Sequence, residues 1–225
     1  MTMSRIVLLL IAPALFVGCS STKTIRVAVP PRVDLRTYPV VGLVTFSSNR
    51  DADLERLATQ KFLESVQCAQ PGTRVVELGS EQQVLASLGQ KSWDTAALHA
   101  VKKNHDVDVV IVGRLDMQKA KPQVQLSTMW KSLSAKADVT ASLTARLFET
   151  QSGATMWTDS SKLSTTIANG SINSSGGGHL GMRDTEAAYG NMVGQLVFDV
   201  TDAFREHYVT RRVSRDDPQT ASARD

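Results

Sequence analysis

Apolar and polar positions along this chain repeat with two different periods, and the changes of period divide it into elements. Residues 38–47 (Tyr-Pro-Val-Val-Gly-Leu-Val-Thr-Phe-Ser) form a near-continuous apolar run, which predicts a strand covered on both faces. Leu54, Leu57, Ala58, Phe62 and Val66 then recur at helical spacing with charges opposite, so 51–67 reads as an amphipathic helix with Asp51 among its candidate caps. Pro71-Gly72 breaks it, and 73–78 is a second strand. Ser80 is placed to cap a short helix over 80–88 with Gly89 at its C-terminal end, and 94–103 is another helix with Ala97, Leu98 and Val101 inward. The β-branched density of 107–116 marks a third buried strand.

The period then falls to two. In 137–149 the residues Val139, Ala141, Leu143, Ala145 and Leu147 share one face, while Thr140, Ser142, Thr144 and Arg146 take the other. Thr150-Gln-Ser-Gly153 is a turn, and 154–166 returns as the partner strand. Residues 167–182 are rich in Gly, Ser and Asn and are expected to be a flexible loop. A long helix over 184–208 closes the pattern, with Ala188, Met192, Leu196, Val200 and Phe204 in an i, i+4 stripe and Val193 and Val197 beside it. The fold class expected is α/β (α+β): a single mixed β-sheet with helices packed on it, a late β-hairpin and a long C-terminal helix.

The two ends lie outside this pattern. Residues 1–18 carry one basic residue, Arg5, then an apolar run from Ile6 to Val17 and Gly18 directly before Cys19. That is the layout of a secretory signal, and the run is shorter than the roughly 20 residues a helix needs to cross a bilayer. The placing of Cys19 resembles a bacterial lipobox, with Phe16 where the usual pattern has Leu; it implies a thiol that is acylated and becomes the first residue of the mature chain. Residues 19–37, with Pro30-Pro31, are expected to be a tether, to which Val27, Val29 and Val33 could add a short strand. Residues 209–225 are charged, contain Pro218 and are expected to be a disordered tail. The organisation expected is therefore a signal over 1–18, a tether over 19–37, one mixed α/β domain over 38–208, and the tail.

Composition narrows the chemistry. The 42% hydrophobic content supports a core, and the formal charge of +3 falls to +2 once Arg5 leaves with the signal. So small and dispersed a charge does not indicate nucleic acid. With Cys19 acylated, Cys68 is the one thiol left, so no intramolecular disulfide forms; Cys68 is expected to be a small, half-buried hydrophobe at a helix end.

No catalytic pattern is found. Gly89-Gln-Lys-Ser92 lacks two glycines of a phosphate loop, with Leu85 and Gln90 in their places. His99, His105, His179 and His207 are scattered without the spacing of a zinc site. Asp106 and Asp108 flank Val107 at a strand start, which solvation explains, and Ser175-Gly-Gly-Gly-His179 reads as flexible chain. An enzyme, a cofactor and a metal site are not expected.

Three stretches carry a family resemblance: Val40-Val-Gly-Leu-Val-Thr-Phe46, Val109-Val-Ile-Val-Gly-Arg-Leu115, and Ala145-Arg-Leu-Phe-Glu-Thr-Gln-Ser-Gly-Ala-Thr-Met-Trp157. Together they resemble bacterial envelope lipoproteins of the CsgG, LpoB and TolB N-terminal-domain group, which share an anticodon-binding-like α/β domain. The resemblance implies a non-catalytic protein that binds an envelope partner or itself, in an export assembly or as an activator of a cell-wall synthase. Ser20 after Cys19 is not the Asp that retains lipoproteins at the inner membrane, so the periplasmic face of the outer membrane is expected. A ring-forming export subunit is the alternative, with 121–133 and 163–169 as the positions where membrane hairpins would insert; a small-ligand site at 173–182 is a third reading.

Overall fold

The computed structural model describes residues 22–118, 121–126, 132–173, 178–182 and 185–214. In chain order its elements are β1 (Thr22–Val29), a 3-10 turn (Leu35–Thr37), β2 (Val41–Thr45), β3 (Ser47–Ser48), α1 (Ala52–Ala69), β4 (Val75–Ser80), α2 (Glu81–Ser87), α3 (Thr95–His105), β5 (Val109–Met117), β6 (Lys121–Leu126), β7 (Ser132–Glu149), β8 (Thr155–Asn173), β9 (Gly178–Met182), α4 (Thr185–Val200), a second 3-10 turn (Thr201–Phe204) and β10 (His207–Ser214). They fall into two units, one holding β1 and β10, the other spanning Pro30–Glu206.

The larger unit is the expected mixed sheet. Its strand order is β4-β2-β5-β7-β8-β9, with β3 also on β5 and β6 also on β7. β4, β2 and β5 are parallel, and from β5 onward the pairing is antiparallel. The helices start where side chains satisfy the orphan amides of their first turns. Asp51 accepts from the Leu54 N–H at 2.9 Å and Asp94 from the Ala97 N–H at 2.8 Å, while Ser80 and Gln83 form a reciprocal capping box.

Two cores explain the two sequence periods. On one face Val41, Leu43, Val109 and Ile111 pack with α1, α4 and the odd-numbered residues of β7 from Val139 to Leu147. On the other, Val44 and Val110 meet Val84 of α2 and Leu98 and Val101 of α3. β2 and β5 are therefore apolar on both sides, whereas most of β7 is apolar on one. A chain of rings crosses the first core, Phe46 to Phe62 at 5.0 Å, Phe62 to Phe204 at 6.1 Å and Phe204 to Trp157 at 4.9 Å. Gly153 turns the β7–β8 hairpin with φ +76°, and at Gly113 a Cβ would meet the Phe46 ring at 2.5 Å.

Four expectations are corrected. Residues 22–29, read as tether with Val27 and Val29 able to add a short strand, are strand throughout, and Leu35 is fully buried in the first core. Residues 207–214, placed in the helix and the tail, are the strand paired with it; 215–225 lie outside the described residues. The long helix ends at Val200, after which Thr201–Phe204 tightens into a 3-10 turn. Residues 167–173 and 178–182, read as a loop, are strand, because β7 and β8 supply ladder partners that their composition does not reveal; 174–177 lie outside the described residues.

Candidate functional site

Cys19, the expected lipid attachment point, lies outside the described residues, which begin three positions later at Thr22. Cys68 is exposed in the last turn of α1, not half-buried, because it follows the helix face opposite Phe62 and Val66.

The structure disperses the other sequence candidates. Gly89 has φ +64° and ends α2, with the Gln90 N–H returning to the Leu85 carbonyl, so this segment closes a helix instead of opening one around a phosphate. His99 lies 2.7 Å from the Gln151 carbonyl, His105 ends α3, and His179 and His207 belong to β9 and β10. Among the described residues no group of three His, Cys, Asp or Glu side chains could hold a metal. No helix among them is long and apolar enough to cross a membrane.

Asp106 and Asp108 are separated by their backbones. Asp106 takes the left-handed conformation that caps α3, at φ 51°. Asp108 accepts from the Val40 N–H at 3.1 Å and from Lys102 Nζ at 2.8 Å, latching α3 to the strand edge; Lys102 also reaches Asp106 at 2.9 Å. A cleft of about 170 Å³ beside this latch is lined by Tyr38, Pro39, Lys102, Asp108, Glu149 and Thr150. Its ammonium is already engaged by two carboxylates, which leaves a structural clamp and no proton donor in search of a substrate.

The Lys102 hydrogen bond holds the Asp108 carboxyl below the usual carboxylate range, against partial burial and with help from the Val40 amide. A depressed folded pKa stabilises above the unfolded value, about 4, and that stability is lost as pH falls through the folded pKa. Asp108→Asn is therefore expected to lower the unfolding midpoint at neutral pH, with the deficit shrinking below about pH 4. Thermal unfolding of both proteins across pH checks this; a constant deficit would refute it.

A second cleft of about 340 Å³ lies between β8 and α4, lined by Leu163, Ser164, Thr165, Met192 and Gln195 among others. Among the described residues its lining holds no charged group.

A third feature is the far end of the sheet. Beyond Val139 the β7 strand continues to Ser132, paired with β6 on one side and β8 on the other, with β9 outside β8. The register aligns Leu126, Leu133, Ile172 and Gly178 in one row, Val124, Ala135, Gly170 and Leu180 in a second, and Pro122, Ala137, Ala168 and Met182 in a third. Between them run Gln125-Ser134-Ser171-His179 and Gln123-Lys136-Asn169-Gly181. Alternate rows belong to opposite faces of a sheet, so this four-stranded extension is built with one apolar-row face and one polar-row face. β8 keeps the phase through an extra residue, Ile167, at the register shift opposite Ala137 and Asp138. Sequence reasoning noticed the alternation at 121–133 and, more weakly, at 163–169, but missed its continuation through 170–173 and β9, where Gly, Ser and Asn resemble loop composition.

No protein-family model and no curated protein matches this sequence. Several solved structures are similar in outline. The PelC dodecamer from Paraburkholderia phytofirmans aligns over 81% of this chain and 98% of its own, at 11% identity and a TM-score of 0.39. Lipoprotein GNA1162 from Neisseria meningitidis aligns over 72% and 97%, at 14% identity and 0.34. The LpoB C-terminal domain from Escherichia coli aligns over 56% and 82%, at 16% identity and 0.31.

Proposed function

We propose that this chain is a non-catalytic lipoprotein of the bacterial outer membrane, acylated at Cys19 and facing the periplasm. Its larger unit binds a protein partner, in an assembly for export or in a complex that activates a cell-wall synthase. The leader over 1–18 followed by Gly18-Cys19 supports the anchor. The observation that supports partner binding is the register across β6, β7, β8 and β9, which sorts apolar residues into one set of rows and polar residues into the other at this end of the sheet. Self-association into a ring of export subunits would use the same rows, and light scattering of the chain from Ser20 onward separates a fixed multimer from a monomer awaiting another protein.

Radiolabelled palmitate is expected to enter the wild-type protein in cells and to be absent from Cys19→Ala, which should leave the outer-membrane fraction. Equal labelling of both proteins would overturn the anchor.

A further inference from the structure

The β1–β10 ladder gathers charge that is scattered in the sequence. Its sixteen residues include Lys23, Arg26, Arg211 and Arg212 and no Asp or Glu, a formal +4 on a chain whose total is +3. The register puts Arg211 opposite Ile25, Arg212 opposite Thr24 and Lys23 opposite Val213, so three of the four cations lie toward the end of the ladder where the chain arrives from Cys19. Arg26, Arg211 and Arg212 are exposed, and none of them forms an ion pair among the described residues. Nearer the other end, Val29, Val209 and Tyr208 are 36%, 39% and 66% exposed.

Among the described residues both outer edges of the ladder lack strand partners. Four cations with no carboxylate among them call for an anionic partner. Another copy of the chain is a poor candidate, since two ladders of +4 without acidic residues repel each other. The distance to Cys19 points elsewhere. Three residues reach at most about 10 Å, which is about one Debye length at physiological salt. An acyl chain on Cys19 thus brings the cationic end of the ladder into the field of lipid phosphates.

We propose that the β1–β10 ladder is an anionic-phospholipid-binding platform that lies on the membrane in which the Cys19 acyl chain is anchored. By register Arg26, Arg212 and Tyr208 share one face of the ladder and Lys23, Arg211, Val29 and Val209 the other. The first face, exposed from Thr24 to Ala28 and from Tyr208 to Arg212, lies down, with Arg26 and Arg212 on the headgroup phosphates, Tyr208 at the headgroup boundary and Arg211 within a Debye length above them. The proposal rests on Cys19 bringing the chain to a membrane, but it is tested without the lipid.

The test uses the chain from Ser20 to Asp225, which contains the β1–β10 ladder and the larger unit, sedimented with vesicles of phosphatidylcholine alone or mixed equally with phosphatidylglycerol. Wild type is expected to bind the mixed vesicles, to leave them as salt rises, and to ignore the neutral ones. Each basic residue near an anionic surface contributes about fivefold, so R26Q/R211Q/R212Q should bind about a hundredfold more weakly. R74Q/K91Q/K103Q removes the same charge from exposed positions of the larger unit and should bind within about threefold of wild type. Circular dichroism confirms that both variants are folded. Equal loss in the two triple variants, equal binding to neutral vesicles, or no binding by a wild-type protein that dimerises would each overturn the proposal. Failure of palmitate labelling would instead strike the anchor and leave this result standing.

Discussion

Gln70→Leu is expected to lower the stability of the larger unit by about 4 kcal/mol, because three backbone groups, two buried and one part-buried, lose their partner at once. The Gln70 side chain is 1% exposed. Its Oε1 accepts from the Leu35 N–H at 2.7 Å, and its Nε2 donates to the carbonyls of Val33 at 2.6 Å and Phe204 at 3.0 Å. One amide thus ties together the segment that leads into the unit, the end of α1 and the segment that leads out. Leucine has nearly the same volume, so the loss is one of hydrogen bonds and not of packing. Each buried group left unpaired costs about 1–3 kcal/mol. For a domain of this size the expected fall in Tm is on the order of 10 °C. Limited trypsin digestion gives a second readout: Arg32 and Arg36 flank the released segment and should be cut faster than sites within α1. A Tm within about 2 °C of wild type, with unchanged digestion, would refute the assignment.

Gly113→Ala is the second large effect. A Cβ there would stand 2.5 Å from two atoms of the Phe46 ring and 2.6 Å from a third. The ring cannot move aside, because Phe46 is fully buried and packs on Phe62 at 5.0 Å. β5 must shift within a sheet that pairs it on both edges, at a cost of about 3 kcal/mol. The cause is the contact, so a smaller partner should relieve it. Gly113→Ala combined with Phe46→Leu is expected to cost clearly less than the sum of the two single changes, a coupling measurable by denaturant unfolding. Additive costs would mean that the clash is not with Phe46. Gly190 in α4 supplies the contrast: nothing lies within 4 Å of its added Cβ. Alanine there should stabilise the helix by about 0.5–1 kcal/mol.

Neither residue announced itself fully in the sequence. Gly113, inside a β-branched run, implied a close approach by another element, but nothing identified that element as Phe46, 67 positions earlier. Gln70 follows an amphipathic helix, and nothing beside it in the sequence marks it as buried. Its burial depends on Val33 and Phe204 arriving from opposite ends of the unit, which no local pattern records.

The candidate surfaces divide in the same way. The anchor at Cys19 rests on sequence alone, as a charge, an apolar run and a small residue in order. The four-stranded extension was half legible. The alternation at 121–133 and 137–149 was visible, because strands with a heavily apolar face declare their period. β9 and the outer part of β8 were not, because glycine, serine and asparagine pair in a ladder only when a neighbour offers its edge.

Local energetics therefore decided α1 to α4, the caps at Asp51, Ser80 and Asp94, the buried strands β2 and β5, and the turn at Gly153. Each depends on residues within a few positions of one another, and the sequence contains them all. Tertiary structure decided the rest. Thr22–Val29 and His207–Ser214 are strands because each is the other's partner across nearly the whole chain. The valines of the first segment allow a strand, but its partner is not written in either sequence until the fold between them brings the two together.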